Sequence, residues 1–119
     1  MKNEHPGVTC LYKFIDAFNT AEKIKIIKNL HFPHYVHSNG NEPVVYKNGE
    51  DFWKSLKVQL DTMIKVENWS FSTLDQCKII NETDKTLQCE VHFNRRLINK
   101  KSYGSAKGIW ISTNRDGIW

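Results

Sequence analysis

Residues 86–94, TLQCEVHFN, decide the fold. Leu87, Cys89, Val91 and Phe93 alternate there with Gln88, Glu90, His92 and Asn94. Successive side chains of an extended chain point to opposite faces, so one face of this segment is apolar and the other polar. Such a strand belongs to an antiparallel sheet with one packed face and one wetter face. The period-two pattern continues on both sides. Strands are read near Trp69–Ile80, Thr86–Ile98, Tyr103–Ser112 and Gly117–Trp119. Asn81-Glu82-Thr83-Asp84, Asn99-Lys100-Lys101-Ser102 and Asn114-Arg115-Asp116-Gly117 supply the turns between them. Connections this short make the pairing sequential and antiparallel.

Upstream the period changes to that of helices. Val8, Leu11, Tyr12, Ile15 and Phe18 recur at three- and four-residue steps from Pro6 onward, which gives one apolar helical face. Pro6 suits a first turn, where its missing N–H would be unpaired in any case. Asn19-Thr20-Ala21-Glu22 reads as a capping box for a second helix, with Ile24, Ile27 and Leu30 inward and Lys23, Lys25 and Lys28 outward. Pro33 disfavours helical geometry at Phe32, so that helix stops near His31, whose charge suits a helix C-terminus. Tyr35–Ser38 and Pro43–Tyr46 are extended stretches, and Asn39-Gly40-Asn41 is the turn between them. Asn48 then caps a third helix, with Glu50 and Asp51 in its first turn. Phe52, Trp53, Leu56, Leu60, Met63 and Ile64 form its buried stripe to about Val66.

The 119 residues make one domain, 1–119, with no room for a second core. At 39% hydrophobic and 25% charged, the chain has enough apolar surface to fold without metals or disulfides. No apolar run approaches the ~18 residues of a membrane span, so no membrane partner is expected. The N-terminal MKNEHPGVT has no hydrophobic segment behind its lysine, and no signal peptide is read there. Cys10, Cys77 and Cys89 are odd in number and lack metal or redox spacing. They are read as reduced thiols in a cytoplasmic compartment, packed as small hydrophobes. The formal charge of +4 is mild, and its one dense cluster, Arg95, Arg96, Lys100 and Lys101, surrounds a turn. Nucleic acid would call for a broader basic face and is not expected as a partner.

Three helices and a hairpin followed by a long curled meander give an α+β domain, with a curved antiparallel sheet wrapped around N-terminal helices. The order of elements and several strings resemble the SnoaL-like branch of the nuclear-transport-factor-2-like superfamily. These strings are Ala17-Phe18-Asn19-Thr20, His31-Phe32-Pro33-His34, Tyr46–Phe52, Phe93-Asn94-Arg95, Tyr103-Gly104-Ser105 and Asp116-Gly117-Ile118-Trp119. The resemblance implies a conical sheet with a hollow that takes a small ligand. Meanders of this family usually run several strand residues past the Gly-x-Trp string. Here the sequence stops at Trp119, so either the chain is shortened or its last strand is only begun. The superfold hosts isomerases, dehydratases, epoxide hydrolases, transport adaptors and binding domains, so the resemblance implies fold more strongly than chemistry.

Similarity to the ketosteroid isomerase branch places Val36-His37-Ser38 near that enzyme's catalytic carboxylate, where this chain offers His37 or Ser38 and no acid. Tyr12 lies on the helix that carries the isomerase's oxyanion tyrosine. Histidine can act as a general base near neutral pH, and His34 and His37 are the candidates. Faces alternate along a strand, so these two histidines point opposite ways and do not form a pair of metal ligands. No metal and no cofactor is expected, since zinc spacing, a Gly-rich phosphate loop and paired carboxylates are all missing from the sequence.

Arg95 shares the parity of Val91 and Phe93 and so points inward, where a guanidinium needs an anion: Asp16, Glu90 or the acidic group of a ligand. Trp53 and Trp110 are candidate linings, Trp110 because Gly108 and Ser112 flank it on its own face and leave space. Two functions follow. One is a pocket for an unidentified, acidic small molecule, as a binder or as an isomerase, dehydratase or hydrolase with a histidine base. The other is a non-catalytic interaction module of the same fold. Both fit a homodimer formed through the sheet, because Ile109 and Ile111 make the second face of the last long strand apolar.

Overall fold

The alternation around Leu87 is realised in the central strand of the larger sheet. The structure, a computed structural model, describes residues 4–38 and 40–119. The elements run α1 (Pro6–Phe18), α2 (Lys23–Lys28), β1 (His34–Val36), β2 (Val44–Tyr46), α3 (Gly49–Lys65), β3 (Phe71–Glu82), β4 (Thr86–Arg96) and β5 (Ser102–Thr113). The turn at Asn39 lies outside the described residues. Strands β3, β4 and β5 form an antiparallel meander in that order, and β1 and β2 form a separate two-stranded sheet. The fold is the expected α+β class.

The curl of the sheet has a local cause. Register shifts interrupt β3 between Leu74 and Gln76 and between Ile79 and Asn81, and another falls where Arg95 and Arg96 face Gly104 and Ser102. Each bulge adds a residue to one strand only, which bends it and increases the local twist. The inner face then closes on α1. Val8, Leu11 and Ile15 pack against Leu74, Leu87, Cys89 and Val91, and Leu87 and Cys89 are fully buried. A second core joins Ala17 and Ile26 to Phe52, Leu56, Leu60, Met63 and Trp69. The small sheet attaches there. The ring of Phe52 meets Phe32, His34 and Tyr46 edge-on at 6.2, 5.2 and 5.3 Å.

Several expectations are corrected. There is no capping box before α2. Asn19 closes α1 instead, and its side chain reaches across to the start of β3. Its Oδ1 accepts the N–H of Ser72 at 2.7 Å, and its Nδ2 donates to the Ser72 carbonyl at 2.9 Å. Thr20 takes the local role, accepting the N–H of Glu22 through its hydroxyl. Helix α2 turns Ile26 inward and leaves Ile24 77% exposed, because so short a helix is oriented by the neighbours it packs on rather than by its own period. Ile64 of α3 is exposed as well, one position outside the stripe.

His31 lies beyond the end of α2, and its Nε2–H donates to the carbonyls of Thr113 at 3.1 Å and Ile118 at 2.8 Å. The expected strand over Gly117–Trp119 is reduced, among the described residues, to one bridge between Arg115 and Ile118. This bridge closes a two-residue turn with Asp116 and Gly117 both at positive φ.

Ser72 is the knot of this arrangement. It is buried, its backbone is held by Asn19, and its Oγ accepts the indole N–H of Trp69 at 2.9 Å. Asn19→Ala leaves both backbone groups of Ser72 without these partners, at about 1–3 kcal/mol for a buried unsatisfied group. Urea unfolding is expected to show that loss with an unchanged slope, whereas Gln59→Ala, at an exposed position of α3, stays within about 0.5 kcal/mol.

Candidate functional site

The space in this fold follows from a mismatch of lengths. Helix α1 has 13 residues and is about 20 Å long. The 12 residues of β5 span about 40 Å. One helix cannot cover that strand. Phe14 of α1 reaches Trp110 at 5.8 Å with the rings perpendicular, and Phe93 flanks the same indole at 5.6 Å. N-terminal to Trp110 the inner row of β5 is Gly108, Ala106 and Gly104, opposite Val91, Phe93 and Arg95. A Cβ placed on Gly104 or Gly108 would meet nothing within 4 Å, and Ala106 is exposed. The inner face therefore carries an open trough with a floor of small residues and an aromatic closed end of Trp110, Phe93 and Phe14.

The opposite end is polar. The bulge at the start of β5 leaves Tyr103 without a partner in the register and turns its ring toward the second core. Its hydroxyl donates to Glu67 Oε1 at 2.8 Å, and Arg95 Nη1 donates to the same oxygen at 3.3 Å. Burial and then the Glu67 carboxylate push the Tyr103 hydroxyl up to about 12, so it stays a donor at any ordinary pH. Arg95 points inward as expected, but its protein partner is Glu67 rather than Asp16 or Glu90. Both side chains are about 30% exposed, so the pair stabilises the fold by no more than about 1 kcal/mol. The arrangement positions a guanidinium more than it holds the domain together.

The other predicted residues disperse. Tyr12 and Phe14 are about 200° apart around α1, so Tyr12 lies on the far side of the helix from Trp110. Tyr12 is 38% exposed, and burial and then Cys77 raise its hydroxyl above the ordinary tyrosine value. Trp53 is half-buried against the second core. His37 is exposed just past the end of β1. His34 lies on the opposite face, against the Phe52 ring. Neither histidine is brought to Trp110 by any contact described above. Burial pushes the Cys77 thiol up to about 12, which makes it a packed side chain rather than a nucleophile. Among the described residues no three His, Cys, Asp or Glu side chains converge as a metal site requires.

A groove of about 840 Å³ lies outside α1, between α2 and the C-terminal turn. Its walls include Glu4, Lys13, Asp16 and Lys28, all exposed and of both signs. Such exposed walls of mixed charge are better solvated than filled.

Glu67, Tyr103 and Phe14 were not singled out in the sequence. The readable signal was the alternation Gly104, Ala106, Gly108 within GSAKG, three small residues on one face of a strand. Burial lowers the His34 imidazole below the ordinary histidine value, so the folded state favours its neutral form. Stability from this site is present above the unfolded value and is lost as pH falls through the lowered folded value. Thermal melts of His34→Leu are expected to lose part of the acid sensitivity that the parent chain shows below about pH 6.5.

No protein-family model matches the sequence, and no curated protein matches it. Solved structures do. A provisionally named calcium/calmodulin-dependent protein kinase II association domain from Xanthomonas campestris superposes with a TM-score of 0.67 at 15% identity, over 99% of this chain and 82% of that one. An NTF-2-like protein of unknown function from Shewanella oneidensis gives 0.61 at 11% identity, over 96% of this chain and 89% of that one. Among the described residues no helix is long and apolar enough to cross a membrane. Helix order, curled meander and superposition agree: the chain has the nuclear-transport-factor-2-like fold.

Proposed function

We propose that this protein is a SnoaL-like binding domain whose trough along β5 takes a flat, largely apolar small molecule bearing an acidic group. The observation that carries the reading is the open space over Gly104, Ala106 and Gly108 beside the Trp110, Phe93 and Phe14 rings. A ring laid on that floor gains dispersion contacts and removes the exposed aromatic surface from water. Arg95 at the polar end offers five N–H donors, of which Glu67 engages one among the described residues. A carboxylate or sulfonate there would share the guanidinium with Glu67. The three cysteines, read as reduced thiols, are consistent with the cytoplasmic location that belongs to this proposal.

Binding is favoured over catalysis because, among the described residues, neither candidate base has a hydrogen bond or ring contact to Trp110, Phe93, Arg95, Glu67 or Tyr103. His34 is the more buried of the two candidate bases, and burial favours its neutral form. Its contacts are with Phe32 and Phe52 rather than with the aromatic end of the trough.

The probe for this reading is 1-anilinonaphthalene-8-sulfonate, an aromatic sulfonate with a flat naphthalene ring. Saturable binding at one site per chain is expected, with near-UV circular dichroism unchanged. Gly108→Leu fills the floor and should weaken the probe at least tenfold. Arg95→Gln removes a charge-assisted bond of about 1.5–3 kcal/mol, a loss of about ten- to a hundredfold. It should leave the neutral analogue N-phenyl-1-naphthylamine almost unaffected. Equal binding by parent and Gly108→Leu would remove the trough from consideration.

A further inference from the structure

The polar end of the trough holds two opposite charges, and each has an unused side. Arg95 reaches Glu67 through Nη1 alone, at 3.3 Å. Its Nε–H and Nη2–H lie parallel on the other edge of the guanidinium and make no protein hydrogen bond among the described residues. Glu67 receives both Arg95 and the Tyr103 hydroxyl on Oε1, and among the described residues no donor reaches its Oε2. The Tyr103 hydroxyl, pushed up to about 12, stays protonated and keeps Oε1 occupied. Both charged side chains are about 30% exposed, so the open edge and the open oxygen are within reach of a solute. Gly104 stands opposite Arg95 in the register, and a Cβ there would meet nothing within 4 Å. There is room beside the pair.

A plain carboxylate is an incomplete match for this end. On the free edge of Arg95 it would make two parallel charge-assisted bonds. It would also lie next to the Glu67 carboxylate, and two anions sharing one guanidinium repel. A ligand that brings its own cation to Oε2 turns that repulsion into attraction. Resting on the trough reading, we propose that the ligand is a zwitterionic α-amino acid with a flat aromatic side chain. Its carboxylate lies on Arg95, its ammonium on Glu67, and its ring over Ala106 and Gly108 toward Trp110. The four strand steps from Gly104 to Gly108, about 13 Å, give length for such a side chain behind the head group. Glu67 is then the specificity-determining residue, because it separates an amino acid from a simple acid. Tyr103 is a positioning residue that holds Glu67 by one oxygen and leaves the other for the ligand.

Isothermal titration calorimetry with three indoles tests this at about pH 7, where carboxylate and ammonium are both charged. Tryptophan, each enantiomer taken alone, carries both groups; indolepropionate lacks the ammonium, and tryptamine lacks the carboxylate. The tighter enantiomer of tryptophan is expected at one site per chain, bound about tenfold or more tighter than either analogue. Glu67→Gln is close in shape and still accepts from Tyr103. It should weaken tryptophan by about tenfold or more and leave indolepropionate equal or tighter, because the repelling charge has gone. Arg95→Gln should weaken tryptophan by a similar factor and leave tryptamine equal or tighter. Equal binding of tryptophan and indolepropionate by the parent chain would overturn the inference. So would equal weakening of all three ligands in a folded Glu67→Gln variant, which would mark a structural role. Should that variant fail to fold, the ranking by the parent chain decides alone. If the chain takes up the sulfonate probe and none of the indoles, this inference falls and the trough reading stands. If the sulfonate probe fails as well, both fall.

Discussion

The structure depends on one helix filling one strand. Val8, Leu11 and Ile15 of α1 meet Leu87, Cys89 and Val91 of β4, and this contact fixes which face of the meander is inner. Once that face is set, the parity of every residue on β3 and β5 follows through the register. A slip of one residue would carry Leu87 and Val91 to the solvent side and the glutamine and glutamate beside them into the core. The contact is worth several buried side chains at about 1.5–3 kcal/mol each. The half-exposed ion pairs at the surface contribute far less. Hydrophobic burial, rather than charge, therefore decides the architecture, and the charged groups are left to shape its openings.

The hollow is a consequence of the same contact. Because α1 is half as long as the strands it covers, the inner rows outrun it, and the chain fills the excess in two ways. Toward the C-terminal end of β5 it supplies Trp110 against Phe14 and Phe93. Toward the other end it supplies glycine and alanine and leaves space. The bulge at Tyr103 then turns a hydroxyl toward Glu67, which Arg95 shares. An aromatic end, a floor of small residues and a polar end are arranged in line on one strand and its neighbour.

Most of the fold was legible because its signals are periodic. Helix α1 over Pro6–Phe18, the Asn48 cap of α3 and the parity of Leu87, Cys89, Val91 and Arg95 could all be read from spacing alone. What failed was set by tertiary contact. Asn19 looks like a helix cap, but the Ser72 backbone, 53 residues away, holds its side chain. Ile26 replaces Ile24 inside because six residues of helix carry little orientation of their own. His31 bonds carbonyls more than eighty residues away, which no local pattern announces. The site was legible in part: Trp110 and Arg95 were found by strand parity. Glu67 was missed because it follows the helical period and precedes the strand one. Tyr12 was drawn in by its helix, yet the helical angle carries it to the β3 side.

The measurement that tests this account most directly is the unfolding free energy of Gly104→Val. The φ of Gly104 is not in the left-handed region, and open space lies where a side chain would stand. A β-branched residue at that strand position should therefore raise stability by about 0.5–1 kcal/mol, through a less mobile unfolded chain and a better strand former. A loss of about 1–3 kcal/mol would mean that the position is already packed. The inner face of β5 would then be closed, in contradiction of the hollow described here.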